Sequence, residues 1–328
     1  MSRSIYSSAL ALALFVPSAA QAQPGRSDNQ AGKLTFLDPI IYYNMSIVPV
    51  STSQAGPFVR YTLLEEGVAK GHLQVRELGG RSAEAQVSAV EIKNRGPLKA
   101  FVLSGEMILG GKQDRILSSD TVIPNDGKWH SVEVFCVEQG RWQGRKMKFK
   151  GGGALAHAQL RKAALSGSQG NVWSEVQRKN ATHDTESNTQ TYRRTVQKPQ
   201  LRTKIKKYRD EIARKLPDTQ LVGFVFAVNG KTRVADLFSN PLLFSDLQEK
   251  LLSAYILEAL EDQVDKNAPK FSKRKAKGFY EKSKAAPSTS SKKSGSSRNY
   301  KKDSKTSIGT QAVDEDTGES VKESYFAK

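Results

Sequence analysis

Between residues 85 and 137 the chain breaks into short β-rich runs at 87–92, 98–103, 116–123 and 130–137. The punctuation is Asn94-Arg95-Gly96-Pro97 and Pro124-Asn125-Asp126-Gly127. Short runs of this kind, divided by residues that favour turns, predict antiparallel strands in a sandwich- or barrel-like unit. Gly110-Gly111 falls in the middle, where glycine weakens a strand, and so marks a turn, a bulge or a place where something approaches the backbone closely.

Either side of this block the patterns differ. Residues 34–50 suit strands, and Thr62-Leu63-Leu64-Glu65 has the form of a capping box opening a short helix that Gly71 would end. Leu73 and Val75 then return the chain to strand. After Trp142, helices are predicted over 154–165 and 171–179, with Asn171 as N-cap, followed by a long mobile polar loop over 180–200. Leu201, Ile205, Tyr208, Ile212 and Leu216 recur at helical spacing, predicting an amphipathic helix with Lys and Arg outside and Pro217 as its stop. Residues 222–228 and 232–238 flank Asn229-Gly230, a strong hairpin signal. Asn240-Pro241 supplies an N-cap and a first-turn proline for a helix running to about residue 262. The expected class is α+β, an antiparallel β-rich N-terminal half packed with a C-terminal half of helices plus a hairpin, in one unit over residues 34–262.

The ends read differently from the middle. Arg3, an apolar run over 9–16 and Ala20-Gln21-Ala22 have the form of a cleaved secretion signal over residues 1–22, which predicts an exported protein, periplasmic or secreted. No later run is apolar for long enough to cross a membrane, so no transmembrane span is expected after cleavage. Residues 23–33 have linker composition. Residues 263–328, dominated by Lys, Ser, Gly and Thr, read as a disordered basic tail. The single cysteine, Cys136, excludes an intramolecular disulfide. The net charge of +18 is uneven: Lys and Arg against Asp and Glu number 13 and 13 over residues 1–140, 19 and 5 over 141–215, 3 and 7 over 216–264, and 16 and 8 over 265–328. Such a surface favours anionic partners, and the tail's Lys273-Arg274-Lys275, Lys292-Lys293 and Lys301-Lys302 would suit an anionic polymer or surface.

Costly side chains crowd residues 102–142. Glu106 and Glu138 are candidates for an acid/base pair or for metal ligands; equally, each could be a partly buried ion-pair member beside Lys112, Arg115 or Arg141. Lys112, Gln113, Arg115, Gln139 and Arg141, next to the flexible glycines, suit a phosphate or carboxylate. Trp142 could stack on a sugar or base, or pack as a core aromatic. Cys136 has no neighbouring histidine except His130 along the same strand, and a buried, unreactive thiol is the favoured reading. No Cys/His cluster has zinc spacing, and the identity of any cofactor or metal stays open.

Several of these words recur together. Glu106 with Gly110-Gly111-Lys112-Gln113 and Arg115, the block Cys136 to Trp142, Trp173 in Asn-Val-Trp-Ser-Glu, and the hairpin running from Phe224 to Ala235-Asp236-Leu237-Phe238 resemble the ARPP domain family. The resemblance covers roughly residues 34 to 262. The family is named for its association with ADP-ribosylglycohydrolases and rhodanese-phosphatases, which implies a role near ADP-ribose or nucleotide metabolism. Taken with the polar cluster, it suggests a pocket for an anionic small molecule, nucleotide-, ADP-ribose- or sugar-derived. The rival reading is a non-enzymatic exported protein that contacts anionic polymers or surfaces through its basic segments.

Overall fold

A computed structural model describes residues 32–78, 86–140 and 147–328. The expected signal (1–22), most of the linker (23–33), Arg141 and Trp142 lie outside the described residues.

The first strands are β1 (Leu34–Phe36), β2 (Ile40–Tyr42) and β3 (Met45–Thr52). β4 (Thr62–Leu63) runs straight into helix α1 (Leu64–Ala69). Gly71, at φ +75°, ends that helix as expected, but Thr62 belongs to the strand and Leu63 stands at the N-cap with no side-chain cap. Then come β5 (Leu73–Leu78), β6 (Gln86–Asn94), β7 (Ala100–Val102), β8 (Glu106–Gly111), β9 (Arg115–Leu117), β10 (Thr121–Ile123), β11 (Trp129–Cys136) and β12 (Met147–Leu155). The run expected as one strand at 116–123 is thus two, β9 and β10, in different sheets. Helices α2 (Ala158–Leu165) and α3 (Gln169–Thr182) follow, the second capped by Ser168, whose side chain accepts from the Asn171 N–H. The polar stretch expected as a mobile loop holds α4 (Arg193–Gln197) and a buried knot in which Thr185 and Thr195 bond the Asn180 side chain. The Asn180 side-chain carbonyl oxygen and the two threonine hydroxyls pair inside it, so low hydrophobicity did not mean disorder.

Next are α5 (Pro199–Ala213), β13 (Leu221–Val228), β14 (Lys231–Phe238) and α6 (Pro241–Ala259). The Asn229-Gly230 turn has φ +46° and +68°, the left-handed pair a tight hairpin needs. The Asn240 side chain accepts from Leu242 and Leu243 N–H groups at 2.9 and 3.3 Å, capping α6. The chain continues as α7 (Lys273–Lys284), β15 (Ser288–Ser294), β16 (Ser297–Asp303), β17 (Ser307–Asp314) and β18 (Ser320–Ala327). The expectation of a disordered tail over 263–328 is corrected by these five elements. Along β15 serines and lysines face solvent, whereas β18 is buried on both faces, Tyr325 packing with α7 and Phe326 with α6.

The fold is α+β, and apart from β4–β7 the paired strands are antiparallel. Its largest sheet orders the strands β1-β3-β13-β14-β18-β17-β16-β15, with β2 also on β3. Along β13, Phe224, Phe226 and Val228 face α6 while Val225 and Ala227 pack toward α7, so both faces are covered and the strand is apolar throughout. A six-stranded sheet, β12-β8-β9-β11-β6-β5, and a three-stranded one, β10-β7-β4, enclose a second core. Helices α2 to α4 cover the outer face of β8 and β9. No helix among the described residues is long and apolar enough to cross a membrane.

Beneath α2 lies a wholly buried ionic group that ties the C-terminal strands to the rest. Arg161 grips Asp236 with two bonds of 2.8 and 2.7 Å, Tyr255 and Ser324 each donate to the same carboxylate at 2.6 Å, and Lys322 lies 3.1 Å from Asp236 and 3.2 Å from Asp120. Burial opposes ionisation of Asp236, but the Arg161 and Lys322 charges prevail and hold its carboxyl far below the usual range.

Candidate functional site

Helices α5 and α6, with β12, border a cleft of about 720 Å3. On α5 the apolar stripe that begins with Leu201 and ends with Ile212 turns inward, leaving Arg202, Lys206 and Arg209 at spacings of four and three along one face. On α6, Asp246, Glu249, Lys250 and Ser253 share a face by the same rule. Glu65 of α1 and Gly153 of β12 complete the part of the wall that matters here. Three carboxylates therefore confront four cations, and among the described residues no aromatic side chain lines the cleft.

Lys250 is the most constrained of these groups. Its Nζ lies 2.5 Å from Glu106 Oε1 and 3.5 Å from Glu65 Oε2. Burial disfavours the ammonium, yet the two carboxylates outweigh it and raise the pKa, so Lys250 is charged. Glu106 is itself immobilised: 2% exposed, it accepts the Leu103 N–H at 2.8 Å across a turn that Gly105 makes possible at φ +87°. On the opposite wall Arg209 is tied to Glu249 and Lys206 to Asp210, whereas Arg202 has no ion-pair partner among the described residues.

Five of the other residues singled out by sequence gather at the far end of β8. Gly110 and Gly111 have φ +111° and +60°, and a Cβ on them would stand 2.5 Å from Lys148 O and 2.4 Å from Glu77 Oε1. The close approach is thus by β12 and by Glu77. The Gly110 N–H donates to Asp114 Oδ1, the Lys112 N–H to Glu77 Oε1, and the Asp114 N–H to Glu138 Oε2 at 3.1, 3.0 and 3.1 Å. Arg115, 1% exposed, makes a two-pronged bond to Glu77 at 3.1 and 2.8 Å. Gln113 donates to Gln139 O at 3.3 Å, and Gln139 in turn accepts from Gln177 at 2.9 Å. Here Lys112, Gln113, Arg115, Glu138 and Gln139 come together. Glu106 stands six residues of strand away, about 17–20 Å along β8, and none of these residues lines the cleft.

Cys136 is a packed thiol: burial pushes its pKa up to about 11, and the Gln169 amide occupies its backbone N–H and C=O at 2.9 and 2.8 Å. His130 bonds Asp126 at 3.0 Å instead. Among the described residues no group of His, Cys, Asp and Glu is arranged to hold a metal. The sequence reading passed over Lys250, Arg202, Lys206, Arg209, Glu65 and Glu77. The basic outer face of α5 was legible, but what it faces depends on α6, 44 residues on by the spacing of the Arg209–Ser253 contact.

Antiparallel sheets wrapped by helices, with a charged cleft on one side, define an α+β domain of mixed architecture. Residues 33–326 match the model of the ARG and Rhodanese-Phosphatase-superfamily-associated Protein domain, and the chain belongs to that family. The match includes α7 and β15–β18, so the domain extends well beyond residue 262. No curated protein and no solved structure matches the chain.

Proposed function

We propose that this ARPP-domain protein binds an anionic, sugar-derived small molecule, a sugar phosphate or its diphosphate relatives, in the cleft between α5, α6 and β12. The observation that carries the reading is the pairing of unlike charges across it. Arg202, Lys206, Arg209 and Lys250 can take a phosphate, and Glu65, Asp246 and Glu249 can accept bonds from sugar hydroxyls. Arg202, lacking a carboxylate partner, is the readiest phosphate anchor. Among the described residues the lining is rich in charged groups, which suits the sugar and phosphate portions of a ligand. The association of the family with ADP-ribosylglycohydrolases is compatible with such chemistry. Glu106 supports the site by holding Lys250 in its charged form, and the knot around Glu138 and Arg115 braces β8 from the other end.

The export reading of residues 1–22 belongs to the same proposal and places the binding outside the cytoplasm. The rival, capture of anionic polymer through the C-terminal lysines, is weakened by their pairing: Lys292 meets Glu133, and Lys293 meets Glu315 at 2.7 Å. A calorimetric titration of the full chain with glucose 6-phosphate, ADP-ribose and glucose tests the reading. Phosphorylated ligands should bind and glucose should not, and Arg202→Ala should weaken binding about 10- to 100-fold, the worth of one charge-assisted contact. Unchanged affinity in both Arg202→Ala and Lys250→Met would remove the cleft from consideration.

A further inference from the structure

Five large apolar side chains are exposed among the described residues: Ile41, Tyr43, Val59, Leu98 and Val264. Three of them are gathered at one end of the molecule. β3 and β13 pair Met45 with Val228, which sets the Tyr43-Asn44 turn beside the Asn229-Gly230 turn, and the Asn229 N–H donates to Asn44 O at 2.7 Å. The Asn44 side chain donates to the Ala259 and Asp262 carbonyls at 2.8 Å each. Asn229 donates to Gln263 O at 2.9 Å and accepts from the Asp265 N–H at 3.1 Å. The segment carrying Val264 is therefore fastened to both turns, and Ile41, Tyr43 and Val264, exposed by 47%, 60% and 50%, project from a rigid base.

The surroundings are aromatic and cationic. Tyr43 is held at φ +52°, a conformation glycine adopts more easily, and its ring stacks on Tyr208 at 5.6 Å while Tyr42 meets both edge-on at 4.7 Å. Lys207 on α5, Lys215 just past its end, Lys231 beside the second turn and Lys266 beside Val264 are exposed and have no ion-pair partner among the described residues. Of the neighbouring carboxylates, Asp262 is taken by Arg233 at 2.8 Å and Glu211 by Arg214, while Asp265, bonded by the Asn267 N–H at 2.9 Å, offsets one lysine charge and leaves an excess of cations. This end of the molecule thus presents aliphatic tips, a tyrosine belt and uncompensated lysines together.

From that combination we propose that the two-turn end docks on an anionic lipid bilayer. Tyrosine rings favour the depth of the headgroups, aliphatic tips enter the acyl boundary, and lysines approach lipid phosphates. A nucleic acid would use the rings and lysines but would leave Ile41 and Val264 without a role, so the aliphatic tips favour lipid. The surface is separate from the cleft and does not depend on the ligand proposed for it.

Co-sedimentation of the full chain with vesicles of phosphatidylcholine alone, and with about a quarter phosphatidylglycerol, tests the proposal. The protein should pellet with the anionic vesicles and stay in solution with the neutral ones. Ile41→Ser combined with Val264→Ser, Tyr43→Gly, and Lys207→Glu combined with Lys215→Glu should each lower partitioning about tenfold or more. The altered side chains are at the surface and glycine suits the φ of Tyr43, so melting temperatures should hold and isolate the surface effect. No binding to anionic vesicles, or equal binding by wild type and variants, overturns it. So does binding to heparin or single-stranded DNA that depends on the lysines but ignores Tyr43 and Val264, as does a dimer abolished by Val264→Ser without vesicle binding.

Discussion

Replacing Asp236 by Asn should cost more stability than any surface change, because it leaves Arg161 and Lys322 as buried cations with only Asp120 to balance them. Asp236 is 0% exposed and takes bonds from Arg161, Tyr255 and Ser324 besides its contact with Lys322. Breaking a buried ion pair on one side costs about 3–5 kcal/mol. Unfolding entropy of about 2.1 cal/mol/K per residue over a folded unit of about 300 residues converts this to a fall in Tm of about 5–8 °C. Differential scanning calorimetry of Asp236→Asn, Arg161→Met and the double variant reads it directly. The double variant should lose less than the sum of the singles, since the second change removes a charge already stranded. A single-variant shift below about 2 °C, or strict additivity, would show that the group is solvated or replaceable and that the reasoning is wrong.

Gly110→Ala should destabilise by about 2 kcal/mol or more, combining an unfavourable φ of +111° with a Cβ only 2.5 Å from Lys148 O; a urea midpoint within error of wild type would contradict it. Acidification should weaken the fold from about pH 6.5 downward. His157, wholly buried and bonded to Tyr192 and Glu175 at 2.9 and 2.6 Å, has its pKa lowered to about 3 by burial and by Lys179; burial also lowers His183, to about 4. The unfolded chain then takes up protons that the folded one refuses, so each such group removes up to about 1.4 kcal/mol per pH unit below about 6.5. Glu175, for which burial is outweighed by bonds from Arg178 and His157, is lowered to about 2, and the stability it contributes above its ordinary pKa is lost as pH falls toward that value. Urea unfolding at pH 7.5, 6 and 5 should show a shallower decline for His157→Gln than for wild type; parallel curves would count against the assignment.

What the sequence disclosed was local. The Asn229-Gly230 hairpin and the Asn240-Pro241 start of α6 are specified by neighbouring residues, and both formed where expected. The amphipathic helix from Leu201 was legible for the same reason, as its period needs no partner to be seen. The ion pairs were not, because their members are far apart in the chain: Arg115 and Glu77 are separated by 38 positions, Lys250 and Glu106 by 144. Composition misled most at the C-terminal strands. There the serines and lysines of β15 face solvent, but on β18 Lys322 is buried against Asp120 and Asp236, and Ser324 against Asp236. The residues expected to share one hollow lie instead on two sides of a strand's length, since β8 carries Glu106 at one end and the glycine turn at the other.

The placement of β18 has a consequence for how the protein comes into being. It lies between β14 and β17, and the contact that begins this seam, Ser239 to Val321, joins residues 82 positions apart. During synthesis the edge of β14, with Asp236 on it, stays unzipped until that distant strand has left the ribosome. The central sheet is therefore completed in one late step, and the nascent chain is vulnerable to aggregation while the 82 intervening positions are being made.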